Sequence, residues 1–238
     1  MGSWNIIMDT LPITKIDLNR VEKTELYPER KTRPTVASIT LEIGGLAMRF
    51  AQIERAPRYD ETHIENDAEH SFMVALIASE LAAQFYPELD NAKVTQFAFV
   101  HDLPELKTGD AKTFNFTAKQ MEDKKISDRI ASEQLIDELP VHTGRLVRIY
   151  EEQLVPEARF VKAVDKLSPV VVDILGAGKT VMKENYNVTT IKELRDSHTK
   201  LHARIADSFK EFPLIVEAHK ALCRLFQEEF EAATTRLR

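Results

Sequence analysis

An imidazole and a carboxylate stand side by side at His101-Asp102, directly after the apolar run Phe97-Ala98-Phe99-Val100, with Leu103-Pro104-Glu105 following. A helical segment of that composition carries the pair into the interior, where an unpaired charge costs several kcal/mol. A cation seated on both groups removes that cost. Two further donors stand in comparable settings: His70 at the start of an amphipathic run, and Asp165 in the apolar stretch Ala163-Val164-Asp165-Lys166. Two imidazoles and two carboxylates suit a borderline or hard divalent ion such as Mn, Co, Fe, Zn or Mg. A site with fewer protein donors than the ion prefers keeps positions open for water and substrate. This is the donor set of a metal hydrolase.

His70, His101-Asp102 and Asp165, in this order, resemble the H…HD…D signature of the HD-domain metal phosphohydrolases. Glu65-Asn66-Asp67-Ala68-Glu69-His70-Ser71 is similar to the ENxxEHS stretch of the bacterial 5'-deoxynucleotidase branch, and His101 to Asp110 is similar to its HDxxExxTGD segment. The likeness runs from about Arg49 to Lys179.

The resemblance implies that His70, His101, Asp102 and Asp165 hold one divalent ion, which steadies the phosphoryl oxygens and lowers the pKa of a water. It implies that Glu105, four positions after His101, moves protons, and that Asp110 assists and touches the sugar. Arg55 precedes His70 by the interval at which these enzymes place an arginine that orients phosphate, a task suited to a guanidinium fork. Pro57 also matches, and Arg58 competes for the role. Ala56 departs from the pattern, because the family has a tryptophan there, tied to discrimination against the ribose 2'-hydroxyl; a wider pocket is expected. Lys112 and Thr113 fall where family members contact substrate. A homodimer is implied as well.

The expected activity is release of phosphate from nucleoside or deoxynucleoside 5'-monophosphates. A dNTP triphosphohydrolase or another HD-type phosphoesterase is the alternative; cleavage to triphosphate calls for further basic residues around the polyphosphate, and no such cluster stands out. A di-iron oxygenase needs extra histidines between the doublet and Asp165, where only His142 lies. A non-catalytic nucleotide-binding protein fits poorly with the presence of all four ligands and Glu105.

The elements that position these residues follow from the totals and from periodicity. With 238 residues, 43% hydrophobic and 29% charged, the chain can form one large domain, or a domain plus an extension. A net charge of -6 argues against a nucleic-acid or acidic-membrane surface. The single Cys223 excludes an internal disulfide and reads as a small core residue. No apolar run approaches the ~18 residues of a spanning helix and no signal peptide opens the chain, so a soluble, cytoplasmic protein is expected.

Residues 1–37 read as an N-terminal extension in which Pro12, Pro28 and Pro34 exclude a long helix, and 38–238 as the HD domain. Helices are expected from a Ser38 cap to Phe50, over Ala68–Phe85 with Phe72 and Phe85 on the buried stripe, and from Val94 to the break at Pro104. Others follow over 118–139, 146–154, 157–167, 170–182, 191–212 and 214–237, with a loop from Arg55 to Ile64 and no convincing strand. The fold class is all-α, an HD-domain helical bundle with the metal between helices. Gly176-Ala177-Gly178-Lys179-Thr180 resembles the tail of a phosphate-binding loop, but Asp173 replaces the leading glycine; it reads as helix with a flexible point. His142, His198, His202 and His219 are expected to be structural or exposed.

Overall fold

The computed structural model describes residues 34–114 and 116–236. The expectations for residues 1–33, Pro12 and Pro28 included, and for Leu237 lie outside the described residues. The described residues divide after Leu46 into two units.

In the first unit, the described part is the start of helix α1 (Val36–Phe50). Its cap is Thr35 rather than Ser38. The Ser38 amide donates to Thr35 Oγ1 at 3.1 Å and the Thr35 amide donates to Ser38 Oγ at 2.9 Å, a reciprocal arrangement that satisfies two amides at once. Gly44-Gly45 stays helical.

In the second unit the helices are α2 (Asp67–Phe85), α3 (Asn91–Val100), α4 (Glu105–Thr108), α5 (Ala118–Ile136), α6 (Val141–Glu152), α7 (Pro156–Asp165), α8 (Ser168–Leu175), α9 (Gly178–Tyr186), α10 (Ile191–Ser208) and α11 (Pro213–Arg236). The all-α expectation holds with one exception. β1 (Glu54–Arg58) pairs antiparallel with β2 (Ile64–Asn66), where the sequence reads as loop. Five and three residues, with Pro57 inside β1, are too few to display alternation. The turn between them is built by Asp60, whose carboxylate accepts from the amides of Thr62 and His63.

The core forms where α3 packs against α2, α6 and α7. Val74, Ala75, Ala78 and Ala82 of α2 meet Val94, Phe97 and Ala98 of α3 and Phe160, Val161 and Val164 of α7. The small side chains along α2 let its neighbours approach closely. Phe72 and Phe85 are exposed instead of buried, because the buried positions recur as Ser71, Val74, Ala75, Ala78 and Ala82, a stripe that leaves both rings on the outer face.

The helix expected over 170–182 is two helices. Gly176 lies so close to β1 that a Cβ there would sit 2.2 Å from the Arg58 carbonyl oxygen, and the Ala177 amide donates to that same oxygen at 3.0 Å. The break between α8 and α9 is thus a docking point for the hairpin, not a phosphate loop and not a bend within one helix. Among the described residues, no helix is long and apolar enough to cross a membrane.

Candidate active site

Three helix ends converge on one point. His70 lies in the first turn of α2, His101-Asp102 directly follows the last residue of α3, and Asp165 is the last residue of α7. The C-terminal ends of α3 and α7 turn partial negative charge toward the spot where the carboxylates sit, an arrangement that favours a cation. His70, His101, Asp102 and Asp165 each offer one donor atom, and these atoms all lie within 4.8 Å of one another.

Local structure explains the motif around His70. Asn66 caps α2, its side chain accepting from the amides of Ala68 and Glu69, while Glu69 accepts from the Asn66 amide at 3.1 Å. This is a capping box, and it fixes the helix start that aims His70. Glu69 also holds His63 at 2.9 Å across the end of the hairpin.

Each imidazole is oriented by its second nitrogen. His101 Nδ1 lies 2.8 Å from the Ala98 carbonyl oxygen, to which it donates, so Nε2 is left as the donor atom toward the site. That Nε2 is buried, makes no hydrogen bond, and lies 3.2 Å from Asp102 Oδ2. His70 Nδ1 faces Ser168 Oγ at 3.4 Å and Glu65 Oε2 at 3.7 Å, and its Nε2 lies 3.0 Å from Asp165 Oδ1. Lys166 holds the other oxygen of Asp165 at 2.6 Å. Burial opposes protonation of His101, yet Asp102 and Asp165 raise its pKa to about 10. The field that draws a proton to Nε2 draws a metal cation to the same place. An orphaned buried nitrogen, a fixed tautomer and two ionised carboxylates make this donor set fit one divalent ion.

Arg55, carried by β1, reaches into the same cluster. Its Nη1 lies 2.8 Å from Asp67 Oδ1, 2.9 Å from Asp102 Oδ2, 3.5 Å from Glu105 Oε2 and 3.8 Å from Asp110 Oδ1, and its Nε lies 3.4 Å from Glu65 Oε2. Burial lowers the guanidinium pKa, but Asp102, Asp110, Glu105 and Asp67 hold it well above its ordinary value. Asp67, Asp102 and Glu105 by themselves form a second group able to hold a cation. The guanidinium nitrogen already supplies that positive charge. Burial, with repulsion from Asp102, pushes Glu105 up to about 10, and burial likewise pushes Asp67 to about 6 against the pull of Arg55.

The structure thus brings Arg55, Glu105 and Asp110 to the four donors. Glu105 arrives there although the α3 helix stops at Val100; the Leu103 amide bonds the Val100 carbonyl, the Glu105 amide bonds the Asp102 carbonyl, and a new helix begins. Gly109, with φ of 69°, turns the chain so that Asp110 faces Arg55. Arg58 is engaged elsewhere, with Glu184 at 2.9 Å. Ala56 is buried on β1. Its carbonyl accepts from Asn185 Nδ2 at 3.1 Å, and Asn185 Oδ1 accepts from exposed Lys112 at 2.9 Å. Thr113 is half-buried, and its carbonyl accepts from the Phe116 amide.

Four residues of the cluster escape sequence reasoning: Glu65, Asp67, Lys166 and Ser168. Glu65 and Asp67 are fully buried acids at alternate positions leading out of β2, a pattern visible as charged residues flanking Asn66 just ahead of the capping box. His142 is exposed, His198 and His219 are buried, and Cys223 is buried.

The model of the HD domain matches residues 49–206, and the chain belongs to that family. Among curated proteins it is similar to the 5'-deoxynucleotidases YfbR of Salmonella paratyphi B and Salmonella newport, 33% identical over 98 residues, which is 39% of this chain and 49% of theirs. The chain therefore spans about half the length of the curated relatives it matches. Its fold is similar to the crystal structure of a predicted metal-dependent phosphohydrolase from Magnetospirillum magnetotacticum MS-1, with a TM-score of 0.61, 24% identity, and coverage of 82% of this chain and 97% of the other.

Proposed function

We propose that this chain is a metal-dependent phosphohydrolase releasing orthophosphate from nucleoside or deoxynucleoside 5'-monophosphates. One observation carries the reading: Asp102 lies both in the four-donor group of His70, His101, Asp102 and Asp165 and within 2.9 Å of the Arg55 guanidinium. An ion site and a phosphate-orienting fork then share one edge, as attack on a phosphoryl group requires. The names of the YfbR relatives support the nucleotide as substrate.

Bound by the four donors, a divalent ion supplies Lewis-acid polarisation of the phosphoryl group and its attacking water. The chain's own groups do the rest. Arg55 orients the phosphoryl oxygens and balances their charge. Glu105, 3.5 Å from Arg55, gives a proton to the departing 5'-oxygen, and Asp110, held across the same guanidinium, assists and meets the sugar. Glu65, Asp67 and Ser168 keep Arg55 and His70 in place. Ala56, small and buried, leaves room beside the sugar, so ribonucleotides are accepted along with deoxyribonucleotides. Action as a homodimer belongs to the same proposal and rests on the family resemblance.

The test is phosphate release from dNMPs, NMPs and dNTPs with Co, Mn, Mg or Zn added, in wild type, Asp102→Ala and Glu105→Ala. Orthophosphate from monophosphates, abolished in both variants, is the expected outcome. Triphosphate released from dNTPs, or silence with every metal, would overturn the reading.

A further inference from the structure

Between residues 108–111 with Phe116 on one side and α5 on the other lies a half-open cavity of about 300 Å³, lined in part by Gly109, Ala111, Phe116, Gln120, Asp123 and Lys124. Its volume falls at the lower end of pockets that hold small ligands. The cavity borders the carboxylate cluster. Gly109 directly precedes Asp110, and Lys124 Nζ lies 4.0 Å from Glu105 Oε1. A phosphoester whose phosphoryl group meets Arg55 and the four metal donors thus has this space beside it for its leaving group.

The lining shows which leaving group fits. Among the described residues that line it, Lys124 is the one cation, and it is already paired with Asp128 at 2.6 Å, while Asp123 adds a second carboxylate. The formal charge of the wall is therefore negative. A further phosphate placed here would meet two carboxylates and an ammonium already committed. The remaining groups suit a neutral heterocycle and sugar. Phe116 presents an aromatic surface, and Ser127 a hydroxyl. Gln120 spends its oxygen on the cap of α5, accepting from the Thr117 amide at 2.9 Å, which leaves its amino group to donate outward.

We propose that this cavity seats the nucleoside portion of the substrate, with the base against Phe116 and its polar edge bonded by Gln120, and that Asp123 and Asp128 select monophosphates over di- and triphosphates. The inference rests on the phosphohydrolase reading above and assigns its leaving-group subsite.

Two measurements test it on the metal-loaded full chain: kinetics with dAMP, dADP and dATP, and equilibrium binding of free deoxyadenosine by calorimetry. Wild type is expected to favour dAMP over dATP at least about tenfold in kcat/KM and to bind deoxyadenosine. Phe116→Ala and Gln120→Glu should raise KM for dAMP about tenfold with kcat little changed, and weaken deoxyadenosine binding in parallel, as loss of a contact at a pocket's centre does. Glu keeps the acceptor that caps α5, so Gln120→Glu folds even where Phe116→Ala does not. Asp123→Lys, on an exposed position, should raise dATP turnover relative to dAMP. Glu133→Gln, on α5 outside the cavity, should match wild type. Equal use of dATP and dAMP by wild type, or KM and nucleoside binding indifferent to both Phe116→Ala and Gln120→Glu, would overturn the assignment. Deoxyadenosine binding lost in these two variants, in a protein that hydrolyses no nucleotide, would leave the cavity assignment standing and sink the hydrolase reading instead.

Discussion

Arg55 Nη1 sits 2.9 Å from Asp102 Oδ2 and 2.8 Å from Asp67 Oδ1, so a side chain from the hairpin neutralises a carboxylate at the end of α3 and another at the start of α2. Taking away one partner of a buried charge group leaves the others uncompensated, at a cost of roughly 3–5 kcal/mol. Arg55→Ala is therefore expected to lower stability by about that amount in a chelator. Divalent ion should restore much of the loss, and metal analysis should show more than the one equivalent per chain expected of wild type, because Asp67, Asp102 and Glu105 become free to hold a second ion. Denaturant melts with and without metal, alongside inductively coupled plasma measurements, read both effects; a stoichiometry unchanged from wild type would refute the idea that the guanidinium stands in for a cation.

Ser168 touches no substrate in the proposed mechanism, but its hydroxyl faces His70 Nδ1. Groups that orient a metal-binding imidazole are commonly worth about 10–100-fold in metal affinity. Ser168→Ala should weaken metal binding by that range and leave KM for nucleotide at saturating metal nearly unchanged. A chelator competition titration gives the answer, and an affinity within twofold of wild type would show the contact to be incidental.

Gly176→Ala is expected to act at a distance. The new Cβ would press on the Arg58 carbonyl at 2.2 Å and on the Tyr59 and Val172 carbonyls at 2.9 Å, all backbone atoms with no rotamer to yield. Overpacking of this kind costs roughly 1–3 kcal/mol. Since Arg58 ends the strand that carries Arg55, KM for a phosphoester should rise as well. Gly45→Ala is the comparison: it has nothing within 4 Å of the new Cβ and lies inside α1, so it should stabilise that helix by about 0.5–1 kcal/mol.

Acid should unfold the α10–α11 pair for a reason unconnected with the metal. His198 and His219 are both lowered to about 4, chiefly by burial; His198 faces Gln227 Nε2 at 3.0 Å, and His219 faces His202 and Cys223. With unfolded values near 6.5, the unfolded chain binds more protons between pH 4 and 6.5. Stability is then complete above pH 6.5 and falls on acidification, at up to about 1.4 kcal/mol per pH unit for each histidine. His198→Asn with His219→Gln should flatten that slope relative to wild type, as followed by urea melts at pH 7.5, 6 and 5. Parallel slopes in the two proteins would place the acid sensitivity elsewhere.

The helical class and most helix positions can be read from apolar spacing, and the four donors from motif order. Asn66 and Glu69 are equally visible in the sequence, but their role as a reciprocal cap emerges only from the backbone they close. Other features depend on contacts between segments far apart in the chain. Ser168 matters because α8 brings its hydroxyl against His70, almost a hundred residues earlier in the chain. The break at Gly176-Ala177 exists because the Arg58 carbonyl needs its space and its amide, and no local propensity signals that. The hairpin is equally silent, being too short for a period of two and interrupted by Pro57. Phe72 and Phe85 mislead in the opposite direction, since hydrophobic residues on a helix do not reveal which neighbour is present to cover them.

The connection between α4 and α5 divides the donors, with His70, His101 and Asp102 on its N-terminal side and Asp165 on its C-terminal side. A single cut there would separate the chain into two pieces that share one interior, where α3 lies against α6 and α7. Each piece alone would carry an incomplete coordination set and half of a core. Co-expressed as separate polypeptides they should reassemble, with metal retention serving as the report that the two halves have found one another.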